Sequence, residues 1–167
     1  MNSGKHKKHP SLKDPAILLA TWFGCGLARK APGTWGSLGA LPPGLLLGHY
    51  GGAGALGMAA ILITAIGFWA AERYDKAAGA HDSKQIVIDE VAGQWLSLLP
   101  LFVLGNLSWV LVVAAFALFR FFDILKPWPV SFFDKKVKGA AGVMLDDIAA
   151  GCYAALCLTG VLYAGFG

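Results

Sequence analysis

Residues 53–71 read AGALGMAAILITAIGFWAA, a run of apolar and small side chains that contains no charge. A helix needs about 20 predominantly apolar residues to cross the hydrocarbon core of a bilayer. The run meets that requirement, so it predicts a transmembrane helix.

Four further apolar stretches accompany this helix, at 34–50, at 91–104, from 107 to about 125, and from 148 to the C-terminus. The last two are long enough to cross a bilayer, whereas 34–50 and 91–104 are short. Pro42-Pro43 should also bend or interrupt the first stretch. We therefore predict an all-α, polytopic membrane helical bundle of about four to five apolar segments, with a short or re-entrant first segment.

The composition agrees with a membrane protein of one domain. The chain has 167 residues, of which 56% are hydrophobic and 14% charged, while a soluble domain carries about 25% charged residues. We expect residues 1–167 to form a single integral-membrane domain, with 1–14 as a basic, flexible tail. No basic run is interleaved with aromatic residues, so no nucleic-acid partner is expected. The three cysteines lack the spacing of a disulfide framework or a zinc site.

The lysines and arginines indicate the topology. They precede the first segment, or lie between the second and third and between the fourth and fifth, apart from Arg120 near the end of the fourth. Five crossings would place every basic loop on one side, which should be cytoplasmic. A re-entrant first segment would instead place the basic N-terminus and the loop 73–84 on opposite faces. The charges favour five crossings.

The carboxylates gather at the same boundary. Asp89-Glu90 opens the third segment, Asp123 closes the fourth, and Asp146-Asp147 opens the fifth. Each acidic pair could simply cap its helix and complement the helix dipole, for which one acid would suffice. Adjacent carboxylates repel each other, and a divalent cation with oxygen ligands relieves that repulsion. Two such pairs on separate helices favour a metal site.

Basic residues lie beside these acids. Arg120 and Asp123 are three positions apart and could form an ion pair on one helix face. Ionisable groups within an apolar helix usually face the bundle interior and have a function. Lys126 could bind a phosphate, or it could extend to the membrane surface as an interfacial anchor.

Two further motifs are weaker. In the turn 31–37, backbone N–H groups and the hydroxyls of Thr34 and Ser37 could cradle an anion, although a plain capped turn explains the same residues. His81-Asp82 could transfer a proton or could belong to a solvated loop. The chain has no Gly-x-Ser-x-Gly elbow and no Walker loop, so phosphoryl chemistry would have to depend on carboxylates and a metal.

Taken together, these motifs resemble the bacterial phosphatidylglycerophosphatase A family over about Leu18 to Leu158. The resemblance is carried by Phe23–Leu27, Ala31–Leu38, His81-Asp82, Ile88–Gly93, Phe119–Pro129 and Gly142–Gly151. Ser83-Lys84 and Cys25 depart from the family's usual residues, but no carboxylate position does.

The resemblance implies a small, multi-pass phosphatase of the bacterial inner (cytoplasmic) membrane that uses Mg²⁺, with its active site facing the cytoplasm. Its expected reaction is hydrolysis of phosphatidylglycerophosphate to phosphatidylglycerol and phosphate. The expected partners are this lipid and the bilayer, and the oligomeric state stays open.

Roles follow as hypotheses for the residues already named. The metal is expected at Glu90, Asp123, Asp146 and Asp147, with Asp89 nearby, and all five count as catalytic together with His81, which would protonate the leaving alkoxide. The phosphate is expected at Arg120, Lys126, Thr34 and Ser37. The attacking group is either a water activated by the metal or an aspartate that becomes phosphorylated. A phosphatase for another lipid phosphomonoester and, less favoured, a small ion transporter or a non-catalytic membrane subunit are the alternatives.

Overall fold

The structure is a computed structural model that describes residues 10–80 and 83–165. Within those residues it contains helices and no strand, which confirms the all-α prediction. The helices are α1 (Pro15–Ala20), α2 (Pro32–Ala78), α3 (Ile88–Val103), α4 (Trp109–Leu125), α5 (Val130–Lys136) and α6 (Ala140–Ala164), and a 3-10 turn at Cys25–Leu27 precedes α2. Asp14 caps α1, and most of the predicted N-terminal tail lies outside the described residues.

Helix α2 contains both of the first two apolar segments. It spans 47 residues and continues through Pro42 and Pro43. Gly52 interrupts it with φ 70° and ψ −175°, a conformation that side-chain-bearing residues rarely adopt. The helix therefore consists of a first arm, 32–51, and a second arm, 53–78, joined at this glycine.

The first arm runs in the same direction as α3 along most of its length. Gly44 packs against Trp95, and Gly48 packs against Phe102. The indole N–H of Trp95 also donates a hydrogen bond of 2.8 Å to the carbonyl oxygen of Ala40. Residue numbers rise in the same direction along both elements. The first arm therefore runs parallel to α3 and does not form a re-entrant hairpin beside it.

The second arm runs in the opposite direction along α3. Gly57 lies near Leu99, whereas Gly67 lies against Ile88 and against Met144 of α6. The two arms are consequently antiparallel, and both the start of the first arm and the end of the second lie at the N-terminal end of α3.

The number of candidate membrane spans differs from the prediction. Among the described residues two helices, α2 and α6, are long and apolar enough to cross a membrane by length and composition, not four to five. Helices α3 and α4 have 16 and 17 residues, just below and at the lower end of the about 17–25 residues that cross a bilayer. The first two predicted segments both belong to α2, because Gly52 joins them without a loop.

Helix α3 lies between the other helices, and a glycine contact brings α6 close to it. A Cβ atom on Gly151 would collide with the carbonyl oxygen of Gly93. Phe119 of α4 also packs against Gly93. Small residues allow helix backbones to approach this closely. The contact brings Asp146-Asp147 next to the acidic pair at the start of α3. The sequence predicted that Asp146-Asp147 opens the last segment, but α6 begins at Ala140, so the pair lies about two turns inside that helix.

Candidate active site

The N-terminal ends of α2, α3 and α6 and the C-terminal end of α4 surround a cavity of about 810 Å³. The loop before α3 and the helix α5 complete its wall. The structure brings the following sequence-predicted residues to this cavity: Asp89, Glu90, Arg120, Asp123, Lys126, Asp146 and Asp147. Helices of opposite direction thus present their charged ends in one place.

Three carboxylates form the centre of the cavity. Asp89, Glu90 and Asp147 each offer an oxygen, and these oxygens lie within 4.8 Å of one another. Asp89 and Asp147 are buried, and the side chain of Glu90 is 13% exposed. We call these three residues the carboxylate cluster.

The carboxylate cluster contains oxygens that lack hydrogen bonds within the described structure. They are Asp89 Oδ1, Glu90 Oε2 and Asp147 Oδ2. An unpartnered buried carboxylate oxygen is costly, and neighbouring carboxylates add repulsion. A cation bound between them would remove both costs. Because all the donors are oxygens, they suit a hard divalent ion such as Mg²⁺.

Arg120 lies beside the carboxylate cluster. Its Nη1 lies 2.7 Å from Asp123 Oδ2 and 4.0 Å from Glu90 Oε1, and its side chain is 15% exposed. The same nitrogen donates to Ser37 Oγ at 3.4 Å, and that hydroxyl donates to the carbonyl oxygen of Gly33 at 2.8 Å. Arg120 is therefore held from two sides, while its buried Nε has no partner among the described residues.

Lys126 joins two elements of the cavity wall. Its ammonium donates to Asp146 Oδ2 at 2.6 Å and also to the carboxylate of Asp134 on α5. Burial acts to lower the pKa of this ammonium, but the two hydrogen-bonded carboxylates outweigh that effect and raise its pKa above the usual value. Lys126 consequently carries a permanent positive charge in the cavity.

The sequence matches one family over most of its length. The family model described as Phosphatidylglycerophosphatase A matches residues 18–162. The chain belongs to this phosphatase family. It is 39% identical to "Phosphatidylglycerophosphatase A" of Haemophilus influenzae over 98% of both chains, and 38% identical to the Escherichia coli protein of the same name over 94% of this chain and 87% of the relative.

A third relative has a different name. "Putative phosphatidylinositol-3-phosphatase" of Bacteroides thetaiotaomicron is 39% identical over 82% of this chain and 87% of its own. No solved structure matches the chain. The resemblance inferred from the motifs is thus confirmed at the level of the phosphatidylglycerophosphatase A family.

The structure divides the predicted acidic residues into two groups, and which of them bind a metal stays a prediction. Asp89, expected only near the metal, belongs to the carboxylate cluster with Glu90 and Asp147. Asp123 and Asp146, expected as metal ligands, form ion pairs with Arg120 and Lys126. Both remain at the cavity wall beside the cluster.

The turn at the start of α2 also differs from expectation. Ala31, Pro32 and Gly33 line the cavity, whereas Thr34 and Ser37 do not. Ser37 is fully buried behind Arg120, and its hydroxyl contacts the arginine. The contacts of Thr34 and Ser37 with phosphate stay a prediction. His81, the expected proton donor, lies outside the described residues, as does Asp82.

Sequence reasoning missed four charged residues of the cavity wall. They are Lys84, Asp134, Lys135 and Lys138. The sequence did offer a signal, because all four belong to the loops and the short helix that adjoin the acidic helix ends. From the sequence these lysines mark the membrane topology, and Lys84 also departs from the family's usual residues.

Proposed function

We propose that this protein is a Mg²⁺-dependent lipid phosphatase that hydrolyses phosphatidylglycerophosphate to phosphatidylglycerol and inorganic phosphate. The reaction would take place at the cytoplasmic face of the bacterial inner membrane. The observation that carries the proposal is the carboxylate cluster, whose unpartnered oxygens lie beside Arg120 and Lys126 in one cavity. Membership of the phosphatidylglycerophosphatase A family supports the choice of substrate.

Asp89, Glu90 and Asp147 would hold the metal, with Asp123 and Asp146 beside them. When bound, Mg²⁺ supplies Lewis-acid stabilisation of negative charge on the phosphoryl oxygens. Two observations support the fit. Each of the three carboxylates offers one oxygen to a group that converges within 4.8 Å. Each also has a buried oxygen without a hydrogen-bond partner in the described structure.

Arg120 and Lys126 would bind the phosphate oxygens that carry the remaining charge. Arg120 has a buried Nε–H without a partner, and Lys126 uses two of its three N–H groups on Asp134 and Asp146. Each cation therefore keeps donor capacity for a ligand while its carboxylate partner fixes its position. Donors positioned before the reaction stabilise developing charge effectively because they need not reorganise.

The remaining steps require a nucleophile and a proton donor. Either a water molecule or one aspartate of the cavity would attack the phosphorus, and His81 would protonate the leaving alkoxide. Trapping a phosphorylated aspartate in a rapidly quenched reaction would identify the covalent route. Its absence during steady turnover would assign the attack to water.

Exposed apolar side chains on the helical bundle support the proposed membrane location. Large apolar side chains are exposed along both candidate spans and α4, among them Met58, Ile61, Val113 and Leu156, as on a protein that faces lipid. Beside the cavity, Trp128 is 76% exposed and lies next to charged residues, a pattern typical of the membrane–water interface. The basic loops at this end favour the cytoplasmic side.

A phosphate-release assay tests the proposal. Purified protein in detergent is mixed with phosphatidylglycerophosphate in the presence of Mg²⁺ or of a chelator, and we expect release only with Mg²⁺. Release that persists in the chelator would remove the metal from the proposal. Absence of release from folded protein under both conditions would overturn the substrate.

Phosphatidylinositol 3-phosphate is the second candidate substrate, since a relative at 39% identity has a name that refers to its hydrolysis. It should be assayed in parallel, because it also presents a phosphomonoester on a lipid head group. A higher kcat/KM with this lipid would assign the protein to that activity. An ion transporter is less favoured, because the charged residues gather at one end of the bundle.

A further inference from the structure

Three lysines that line the cavity have no carboxylate partner in the part of the chain that the structure describes. Lys84 lies in the loop before α3, Lys135 lies in the last turn of α5, and Lys138 lies between α5 and α6. Among the described residues none of them forms an ion pair. Arg120 and Lys126, in contrast, are each paired with carboxylates. We call Lys84, Lys135 and Lys138 the rim lysines.

The rim lysines lie nearer to solvent than the other cations of the cavity. The side chain of Arg120 is 15% exposed and that of Lys126 30%, whereas all three rim lysines are exposed. The cavity thus has an inner part, which contains the carboxylate cluster, Arg120 and Lys126. Its outer part contains the rim lysines, which have no carboxylate partner among the described residues.

The cavity is also larger than one phosphate group requires. Its volume of about 810 Å³ lies within the range of about 300–1,000 Å³ typical of pockets that enclose a whole small molecule. A ligand that fills it extends from the inner part to the rim lysines. Three exposed apolar side chains would contact acyl chains: Leu125 at the end of α4, Trp128 between α4 and α5, and Phe132 in α5.

We propose that the rim lysines form a second anion subsite, which binds the phosphodiester of a lipid whose phosphomonoester occupies the inner part of the cavity. This inference rests on the proposed function and specifies its ligand class: glycerophospholipids that carry a phosphodiester and a terminal phosphomonoester in one head group. Phosphatidylglycerophosphate and phosphatidylinositol 3-phosphate both have this chemistry. Phosphatidic acid has only the monoester, so it cannot engage both subsites.

Binding measurements separate the two subsites. The probes are phosphatidylglycerol, which has only the diester, and phosphatidic acid, each titrated at low mole fraction into neutral detergent micelles that contain the protein. The test variant is Lys84→Gln/Lys135→Gln/Lys138→Gln. The matched control is Arg29→Gln/Lys30→Gln/Lys136→Gln, which removes the same charge from exposed positions outside the cavity wall.

We expect the test variant to weaken binding of phosphatidylglycerol relative to phosphatidic acid by about tenfold, the size expected from several partly screened ion pairs together. Its KM for phosphatidylglycerophosphate should rise by a similar factor with kcat nearly retained, because the reacting groups are untouched. The control variant should leave the relative affinity of the two probes as in the wild-type protein.

The inference is overturned if the two probes lose affinity equally, if neither loses affinity, or if the control variant reproduces the change. It is also overturned if the wild-type protein does not bind phosphatidylglycerol. A wild-type protein that hydrolyses neither candidate substrate would overturn the proposed function alone, because the binding comparison requires no turnover.

Discussion

The guanidinium group of Arg120 donates a hydrogen bond of 3.4 Å to the hydroxyl of Ser37, a residue that is fully buried. The contact joins α4 to the first turns of α2, which are far apart in sequence. Since Ser37 in turn donates to the carbonyl oxygen of Gly33, the start of α2 acts as a support for the arginine. A Cβ atom on Gly33 would collide with Glu90 Oε1, so the same turn also limits where that carboxylate can lie.

Replacing Ser37 by Ala should reduce kcat by up to about tenfold, since one hydrogen bond that positions Arg120 is lost. KM should change less, because Arg120 retains its ion pair with Asp123. Phosphate-release kinetics at saturating and limiting lipid separate the two constants. Thr34→Ala is the matched control, because Thr34 lies one turn away from Ser37 and outside the cavity wall.

Ser37→Thr retains the hydroxyl and should restore most of the kcat that Ser37→Ala loses. If the alanine variant turns over at the wild-type rate, the hydroxyl does not position the arginine. Equal losses in Ser37→Ala and Ser37→Thr would instead indicate disturbed packing of a buried residue.

Asp147→Asn should lower phosphate release by at least about 100-fold, because it removes one proposed ligand of the Mg²⁺ that would stabilise negative charge on the phosphoryl group. The same variant should melt at a higher temperature than the wild-type protein in chelator, since the repulsion among Asp89, Glu90 and Asp147 is relieved. Mg²⁺ should raise the melting temperature of the wild-type protein and raise that of the variant much less.

Glu72→Gln is the control for this variant, because Glu72 is an exposed acid that pairs with Lys76 and lies outside the cavity. It should keep the wild-type activity and the wild-type response to Mg²⁺. An Asp147→Asn protein with near-normal turnover would exclude Asp147 from the metal site.

The sequence was sufficient to predict which residues share one end of the molecule. Asp89-Glu90 lies in the first turn of α3, Arg120 and Asp123 lie in the last two turns of α4, and Asp146-Asp147 lies about two turns inside α6. Helices of alternating direction bring these regions together. Gly51-Gly52 separates the first two predicted segments, 34–50 and 53–71. Because Gly52 alone breaks the helical conformation, the two segments form one helical element in place of two.

Which carboxylates lie closest together could not be predicted from the sequence, because that depends on distances between helices. Asp89 faces Asp147 only because Gly93 and Gly151 allow α3 and α6 to touch. Asp123, by contrast, has Arg120 one turn away on its own helix, and that local ion pair is the ordinary consequence of the spacing. The position of Ser37 behind the arginine likewise follows from packing between α2 and α4.

The two carboxylates that bind Lys126 should contribute unequally. Asp146 is 7% exposed in its side chain and Asp134 35%, and a pair screened by water contributes less than a buried one. Asp146→Asn should therefore reduce kcat and the melting temperature clearly more than Asp134→Asn, which should cost less than about 1 kcal/mol of unfolding free energy. Activity and thermal unfolding of the two single variants provide the comparison, and equal effects would contradict this distinction.

Gly151→Ala should separate the two acidic pairs without changing any charge. The added methyl group would collide with the carbonyl oxygen of Gly93, and forced overpacking of this kind costs about 1–3 kcal/mol. Because α6 carries Asp147, its displacement from α3 should also lower phosphate release and weaken the stabilisation by Mg²⁺.

Gly160→Ala is a matched control on the same helix, since a Cβ atom there meets no other atom within 4 Å. An alanine in an open helical position is neutral or stabilising, because glycine is the poorer helix former. Thermal unfolding and phosphate release of the two variants should therefore diverge. If Gly151→Ala keeps both its stability and its response to Mg²⁺, the close approach of α3 and α6 is not what holds the carboxylate cluster together.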